Sequence, residues 1–183
     1  MAQTIEYTVS GNKEFGNLPE AASQTFVHGD FLILDSNGRA QVAVAAGSRV
    51  GASSSGATTN RIVGQAMHAA SGTTGRQVQF VKAKPGTRFL MPVHHATAAS
   101  AVPNTNQVGK VYELIHVNAD IDYWAVSLDN TTNVKVKVVE MFPDDHTGWD
   151  GRGYPTAAST TQYGRVWVEF IDNESALIGA END

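Results

Sequence analysis

The chain has 183 residues, 42% hydrophobic and only 17% charged, with no cysteine and a net charge of −5. That length allows one folded domain or two small ones, and the missing cysteines exclude disulfides, thiolate zinc sites and thiol nucleophiles. Thirteen basic residues against eighteen acidic ones, with no basic run, lack the positive stripe that nucleic-acid binding requires.

Residues 4–10, TIEYTVS, alternate, with Ile5, Tyr7 and Val9 on one face, as a strand does. The turn-rich stretch after them contains Phe15 and Leu18, and Asn17, Pro19 and Glu20 are spaced to cap a short helical turn. Residues 1–25 are therefore expected to form an N-terminal arm, with Ile5, Tyr7, Val9, Phe15 and Leu18 as candidate partner contacts. This start lacks the basic and apolar blocks of a signal peptide. No apolar run reaches the roughly 20 residues of a membrane span. A soluble product of the cytoplasm, with no membrane partner, is expected.

Residues 26–47 hold two apolar runs around Asp35-Ser36-Asn37-Gly38, a hairpin signal because Asn-Gly tolerates positive φ. Residues 47–60 are almost all small and read as a linker. RIVGQAMHAA (61–70), RQVQFVKA (76–83) and TRFLMPV (87–93) read as strands, with Pro92 placing the last at an edge or an end. A second small-residue loop covers 94–109. Four β-like segments follow at 110–117, 123–128, 133–142 and 164–171. In the third, Val134, Val136 and Val138 are expected inward, opposite Lys135 and Lys137. In the fourth, Val166, Val168 and Phe170 share one face.

No segment sustains a 3.6-residue apolar period. The expected fold is all-β, an antiparallel barrel or sandwich of about ten short strands, with the N-terminal arm and long Ser/Thr/Gly/Ala-rich loops. The expected divisions are the arm (1–25), a β-rich domain (26–93), a connecting loop (94–109) and a second β-rich module with a C-terminal tail (110–183). Whether the two β regions form one barrel or two is left open.

FPDDHTGWDGRGYP, 142–155, gathers Asp144, Asp145, His146 and Asp150 between two β segments. These are the candidate metal ligands. Their spacing does not match a calcium loop, and a catalytic zinc site needs three ligands from a rigid frame where only one histidine is local. A solvated turn is the simpler reading, since Pro, Asp and Gly each favour turns. Trp149 and Tyr154 are candidate partner contacts, because aromatics on loops anchor interfaces. His94-His95 reads as a solvated pair at a strand end, since neighbours on a strand point apart. His28, His68 and His116 read as single hydrogen-bonded histidines. No nucleophile elbow, phosphate loop or dinucleotide loop is present, so neither an enzyme nor a cofactor is expected.

Gly29-Asp30, Ile62-Val63-Gly64-Gln65-Ala66 and Pro85-Gly86-Thr87-Arg88-Phe89, followed by the turn 129–132 and the strand opening at Arg165, resemble small capsid decoration, or cement, proteins of tailed bacteriophages. The likeness runs over residues 26–171. It implies a non-enzymatic protein on the outer surface of a virion, bound to the major capsid protein and self-associated as a homotrimer. Two other classes compete with it. One is a glycan-binding module that stacks sugars on Trp149, Tyr154, Tyr123 or Trp124. The other is a hydrolase built on Asp144, Asp145 and His146.

Overall fold

The computed structural model describes residues 9–45, 47–50, 62–97, 100–101, 103–117, 123–129, 135–142 and 165–171. These contain eleven strands and no α-helix. In chain order the strands are β1 (Val9–Gly11), β2 (Phe15–Pro19), β3 (Phe31–Leu34), β4 (Ala40–Val42), β5 (Ile62–Ala66), β6 (Gln77–Lys82), β7 (Thr87–His94), β8 (Val111–Val117), β9 (Tyr123–Ser127), β10 (Val136–Met141) and β11 (Arg165–Phe170). The expected all-β class is the observed one.

Five strands form an antiparallel sheet in the order β2-β6-β5-β3-β4. Five others run β7-β11-β10-β8-β9, and β9 pairs back onto β7, which closes them into a barrel. The closing ladder is parallel, Val93↔Val126 and His94↔Ser127. β1 lies along β7 from Val9↔Phe89 to Gly11↔Thr87. Closure matters because it leaves no strand edge around the barrel to be capped.

Alternate residues of the barrel strands share the inner face. Phe89, Met91 and Val93, Leu114, Trp124 and Val126, Val136 and Val138, and Val166, Val168 and Phe170 all belong to one buried cluster. Phe31, Ile33, Ile62 and Val81 of the first sheet join that cluster. The Phe31 ring stands edge-on to Phe89, Trp124 and Phe170 at centroid distances of 5.3–5.4 Å, an arrangement the ring quadrupoles favour. The other face of the first sheet packs Leu32, Val63, Val78 and Phe80 with Phe26 into a second core. β5 therefore has core on both sides, and all five of its residues are buried. That explains why its sequence does not alternate and is small and apolar except at Gln65, whose Nε2 donates to the Gly29 carbonyl.

Several local expectations are corrected. Asn17, Pro19 and Glu20 do not cap a helical turn. Phe15–Pro19 is a strand on β6, because Leu18 and Gly16 fit against the Val78–Phe80 surface. The part of the expected arm within the described residues, from Val9 on, is built into both sheets through β1 and β2. Pro92 is not on an edge strand, since β7 has β11 on one side and β1 and β9 on the other. It falls between the register of β1, which ends at Phe89, and that of β9, which begins at Val93. A missing N–H is tolerated in that gap. The hairpin forms, but of its turn residues only Gly38 has positive φ. Asp35 closes the turn instead, with its Oδ1 accepting the N–H groups of Asn37 and Arg39. Lys137 faces solvent as expected, whereas Lys135 is buried.

The first sheet also curls. Glu20 bridges Ala40 in parallel, Ala21 N–H donates to the Ala40 carbonyl at 2.9 Å, and Val42 N–H donates to Gln24 Oε1 at 3.1 Å. The outer side of β4 is thus covered by the chain that leaves β2.

Candidate functional site

Three buried polar groupings stand out. Each takes residues from segments far apart in the chain.

The first is Glu20, 1% exposed. Its Oε2 accepts Ser71 N–H at 2.9 Å and the Ser71 hydroxyl at 2.8 Å, and its Oε1 accepts Gly72 N–H at 2.7 Å. Burial alone would raise its pKa. The bonds from Ser71 and Gly72, with the charge of Arg76, outweigh burial and hold it below the ordinary value. Its backbone joins in, with Glu20 N–H donating to Arg76 and Gly75 N–H donating to Glu20. One residue thus holds both ends of the 71–76 turn, its carboxylate at Ser71 and Gly72 and its backbone at Gly75 and Arg76.

The second is Asp30 with Trp124 and His116. Trp124 Nε1–H donates to Asp30 Oδ1 at 2.9 Å, and Val27 N–H donates to Oδ2 at 2.8 Å. His116 stacks on Trp124 with ring centroids 4.5 Å apart and planes 9° from parallel. Its Nδ1 lies 3.2 Å from the Val44 carbonyl. A carbonyl only accepts, so Nδ1 carries the proton.

The third centres on Arg49. Gly47 N–H bonds to the His116 carbonyl, His116 N–H to Ser48, and Val50 N–H to Leu114, so residues 47–50 run along β8. This sets Arg49 over the outer face of the barrel. Glu113, Ser127 and His94 lie side by side there, because Glu113↔Ser127 and His94↔Ser127 are register partners. Arg49 Nη1 donates to Glu113 Oε2 at 3.0 Å and to Ser127 Oγ at 2.5 Å, and Nη2 lies 3.4 Å from Asp129 Oδ2. Ser127 Oγ donates to Asp129 Oδ1 at 2.5 Å, and Ala96 N–H donates to Asp129 Oδ2. Burial would raise the Asp129 pKa; the Ser127 hydroxyl, the Ala96 N–H and Arg49 overcome it and hold it low. His94 is shifted the other way for its type, downward, by burial first and then by the charges of Arg49 and His95 against the opposing pull of Asp129.

This third group has the residue types of a hydrolase but not the wiring. A serine nucleophile needs a base that accepts its proton. The Ser127 proton points to Asp129, whose lowered pKa makes it a poor base, and its oxygen accepts from Arg49. His94 Nδ1 is buried without a hydrogen-bond partner. The group is a charge-paired clasp on four segments: 47–50, β8, the end of β9 and the residues after β7. Among the described residues, no three His, Asp or Glu side chains come together to hold a metal ion.

Of the residues singled out in the sequence, Asp144, Asp145, His146, Trp149, Asp150, Tyr154, Ile5 and Tyr7 lie outside the described residues. Val9 packs against the barrel core and Leu18 against the second core, while Phe15 is 55% exposed on β2. Tyr123 and Trp124 are buried, so neither offers a ring face to a sugar. His94 is half-buried within the clasp rather than solvated. Sequence reasoning passed over Glu113 and Arg49, which sits in the stretch read as a linker, and it read Glu20 only as part of a helix cap and Asp30 only as part of the resemblance. A charged residue inside an apolar strand pattern, Glu113 between Tyr112 and Leu114, was the available signal for Glu113. Arg49 carried none.

Comparison with known proteins finds no matching family model, no matching curated protein and no matching solved structure.

Proposed function

We propose that the protein is a structural component of a tailed-phage virion. It binds the outer surface of the capsid and stabilises the contacts between major capsid subunits, without chemistry. The observation that carries this reading is where the buried carboxylates point. Glu20, Asp30 and Glu113 each bond to donors within the chain. They serve to keep a small β body rigid, which is what a protein acting through repeated surface contacts needs. Outward it offers apolar groups, with Phe15, Val27, Val108 and Val111 exposed. Two of the residues that carry the resemblance have structural reasons. Asp30 anchors Trp124, and Gly64 lets β5 lie close to β6. Partners in this reading are the major capsid protein and further copies of the chain, as a homotrimer that multiplies modest contacts by avidity.

The test is co-sedimentation of the purified protein with shells of the major capsid protein from the same virus, together with the melting temperature of those shells. Saturable binding that raises the shell melting temperature is expected. Deleting residues 1–8, which carry Ile5 and Tyr7, is expected to weaken binding while every strand described above is retained. No co-sedimentation at saturating concentration overturns the proposal.

A further inference from the structure

Two bonds fix which way the peptide groups of β2 face. Lys82 N–H donates to the Glu14 carbonyl at 2.8 Å, and Glu20 N–H donates to the Arg76 carbonyl at 2.7 Å. Between them the ladder from Phe15↔Val81 to Pro19↔Gln77 has no break. In an antiparallel ladder the hydrogen-bonded pairs alternate with pairs whose groups face away. Glu14, Gly16, Leu18 and Glu20 therefore bond inward to β6. Phe15 and Asn17 aim their N–H and C=O groups outward, and no described residue meets them.

The side chains agree with the backbone. Phe15 and Asn17 are both exposed, and Phe15 is the most exposed large hydrophobic among the described residues. Unpaired edges invite another strand, and native chains usually blunt them with charge, proline or a covering loop. Among the described residues, the chain covers the outer side of β4 and, through the Glu20–Ala40 bridge, the downstream end of β2, but not β2 at Phe15 and Asn17. The open stretch is also short. Upstream, Gly11 turns the chain at φ 80 and Lys13 N–H is taken by the Gly11 carbonyl. Downstream, Pro19 has no N–H. The Glu20–Ala40 bridge closes the edge beyond Pro19, so it accepts a partner strand only over Phe15 to Asn17.

We propose that this edge is occupied by a second copy of the chain, the two β2 strands pairing antiparallel across a two-fold axis at Gly16. Phe15 then faces Asn17 of the second copy, and Asn17 faces its Phe15. Each pair exchanges two N–H···O=C bonds, four in all, which meets every free group on both strands. Gly16 meets Gly16 as the close, non-bonded pair, where the absence of side chains removes any clash. The exposed Phe15 ring gains the Asn17 side chain of the second copy as a same-face neighbour. Shifting the register by one residue would set inward-bonded groups opposite outward ones. Shifting it by two toward Pro19 would leave the Phe15 carbonyl facing a residue with no N–H. The match between the free groups and their own inverted copy is what favours a second copy over an unrelated strand. This pairing stands apart from the capsid reading. A two-fold cannot build a homotrimer, so threefold association would need a different surface.

Sedimentation of the full chain over a concentration series tests it. A reversible monomer–dimer equilibrium is expected, weak because the contact is small. Asn17→Pro removes an N–H that β6 does not use, so the melting temperature should hold while dimerisation weakens at least about tenfold, the two-fold doubling each lost bond. In wild type, the Phe15 and Asn17 amides should exchange slowly when concentrated and quickly when diluted. A monomer up to the solubility limit, or an oligomer that Asn17→Pro leaves unchanged, overturns the proposal. If Asn17→Pro melts early, the concentration dependence of those two amides in wild type decides the matter without a variant.

Discussion

At Glu20 a buried carboxylate is tolerated because three donors converge on it. Glu20→Ala would take the acceptor from the part-buried Ser71 N–H and hydroxyl and from the N–H of exposed Gly72, which water can reach, and is expected to lower stability by about 1–2 kcal/mol in urea unfolding. Arg49→Met strands Glu113, whose side chain is 1% exposed. The guanidinium is itself 29% exposed, so water already screens part of the pair, and about 2–3 kcal/mol is expected rather than the full value for a buried pair. Pairing it with Glu113→Leu should recover most of that loss, because the buried charge goes too. Acid should act on the same groups. Glu20 and Asp129 have lowered pKa values in the folded chain, and so has His94. All three therefore bind protons more readily when unfolded, and stability must fall as pH falls. The loss through His94 begins below its ordinary value of 6.5, and the loss through the carboxylates follows below about 4.5. Unfolding midpoints measured from pH 8 to pH 3 should be flat above that range and decline through both steps.

Among the elements, β5 shows why one glycine matters more than the rest of its strand. A Cβ on Gly64 would collide with the Val81 carbonyl oxygen and lie 2.5 Å from Phe80 Cδ2. Neither can yield, since one is ladder backbone and the other is core. Gly64→Ala is expected to lose about 3 kcal/mol or more, read as a shift in urea midpoint at constant m-value. Strand existence was well marked in the sequence. Ile62–Ala66, Gln77–Lys82, Val111–Val117, Val136–Met141 and Arg165–Phe170 all fall inside stretches whose alternation or apolar run announced them. β2 was not marked, because Asn17, Pro19 and Glu20 imitate a helix start and the strand has only Leu18 to bury. Lys135 was placed outward by its position in an alternation, yet it is buried. Alternation tells which residues share a face; how far a neighbour covers that face depends on the rest of the fold.

For the whole molecule, Phe31 couples the two sheets. Its ring contacts three aromatic residues of the barrel, and Asp30 beside it holds Trp124. Wild-type unfolding should therefore be one transition, with tryptophan fluorescence and far-UV circular dichroism coincident. All three tryptophans, Trp124, Trp149 and Trp167, lie in the second half of the chain. Phe31→Ala should cost about 3–5 kcal/mol and make the fluorescence midpoint part from the dichroism midpoint as the barrel loses its plug.

The amino-acid sequence alone determined the all-β class, the position of most strands and the residue parity that fills the barrel, because a period of two records which face is buried. It also excluded thiol chemistry, since the chain has no cysteine. Only the tertiary structure decided that β9 closes the barrel on β7 in parallel, that Arg49 reaches Glu113 across 64 positions, and that no described strand meets the peptide groups of Phe15 and Asn17. A local pattern carries no label for its partner. Pairing is settled by which distant surfaces fit together, and buried charges can be read only once their counter-groups have been brought beside them.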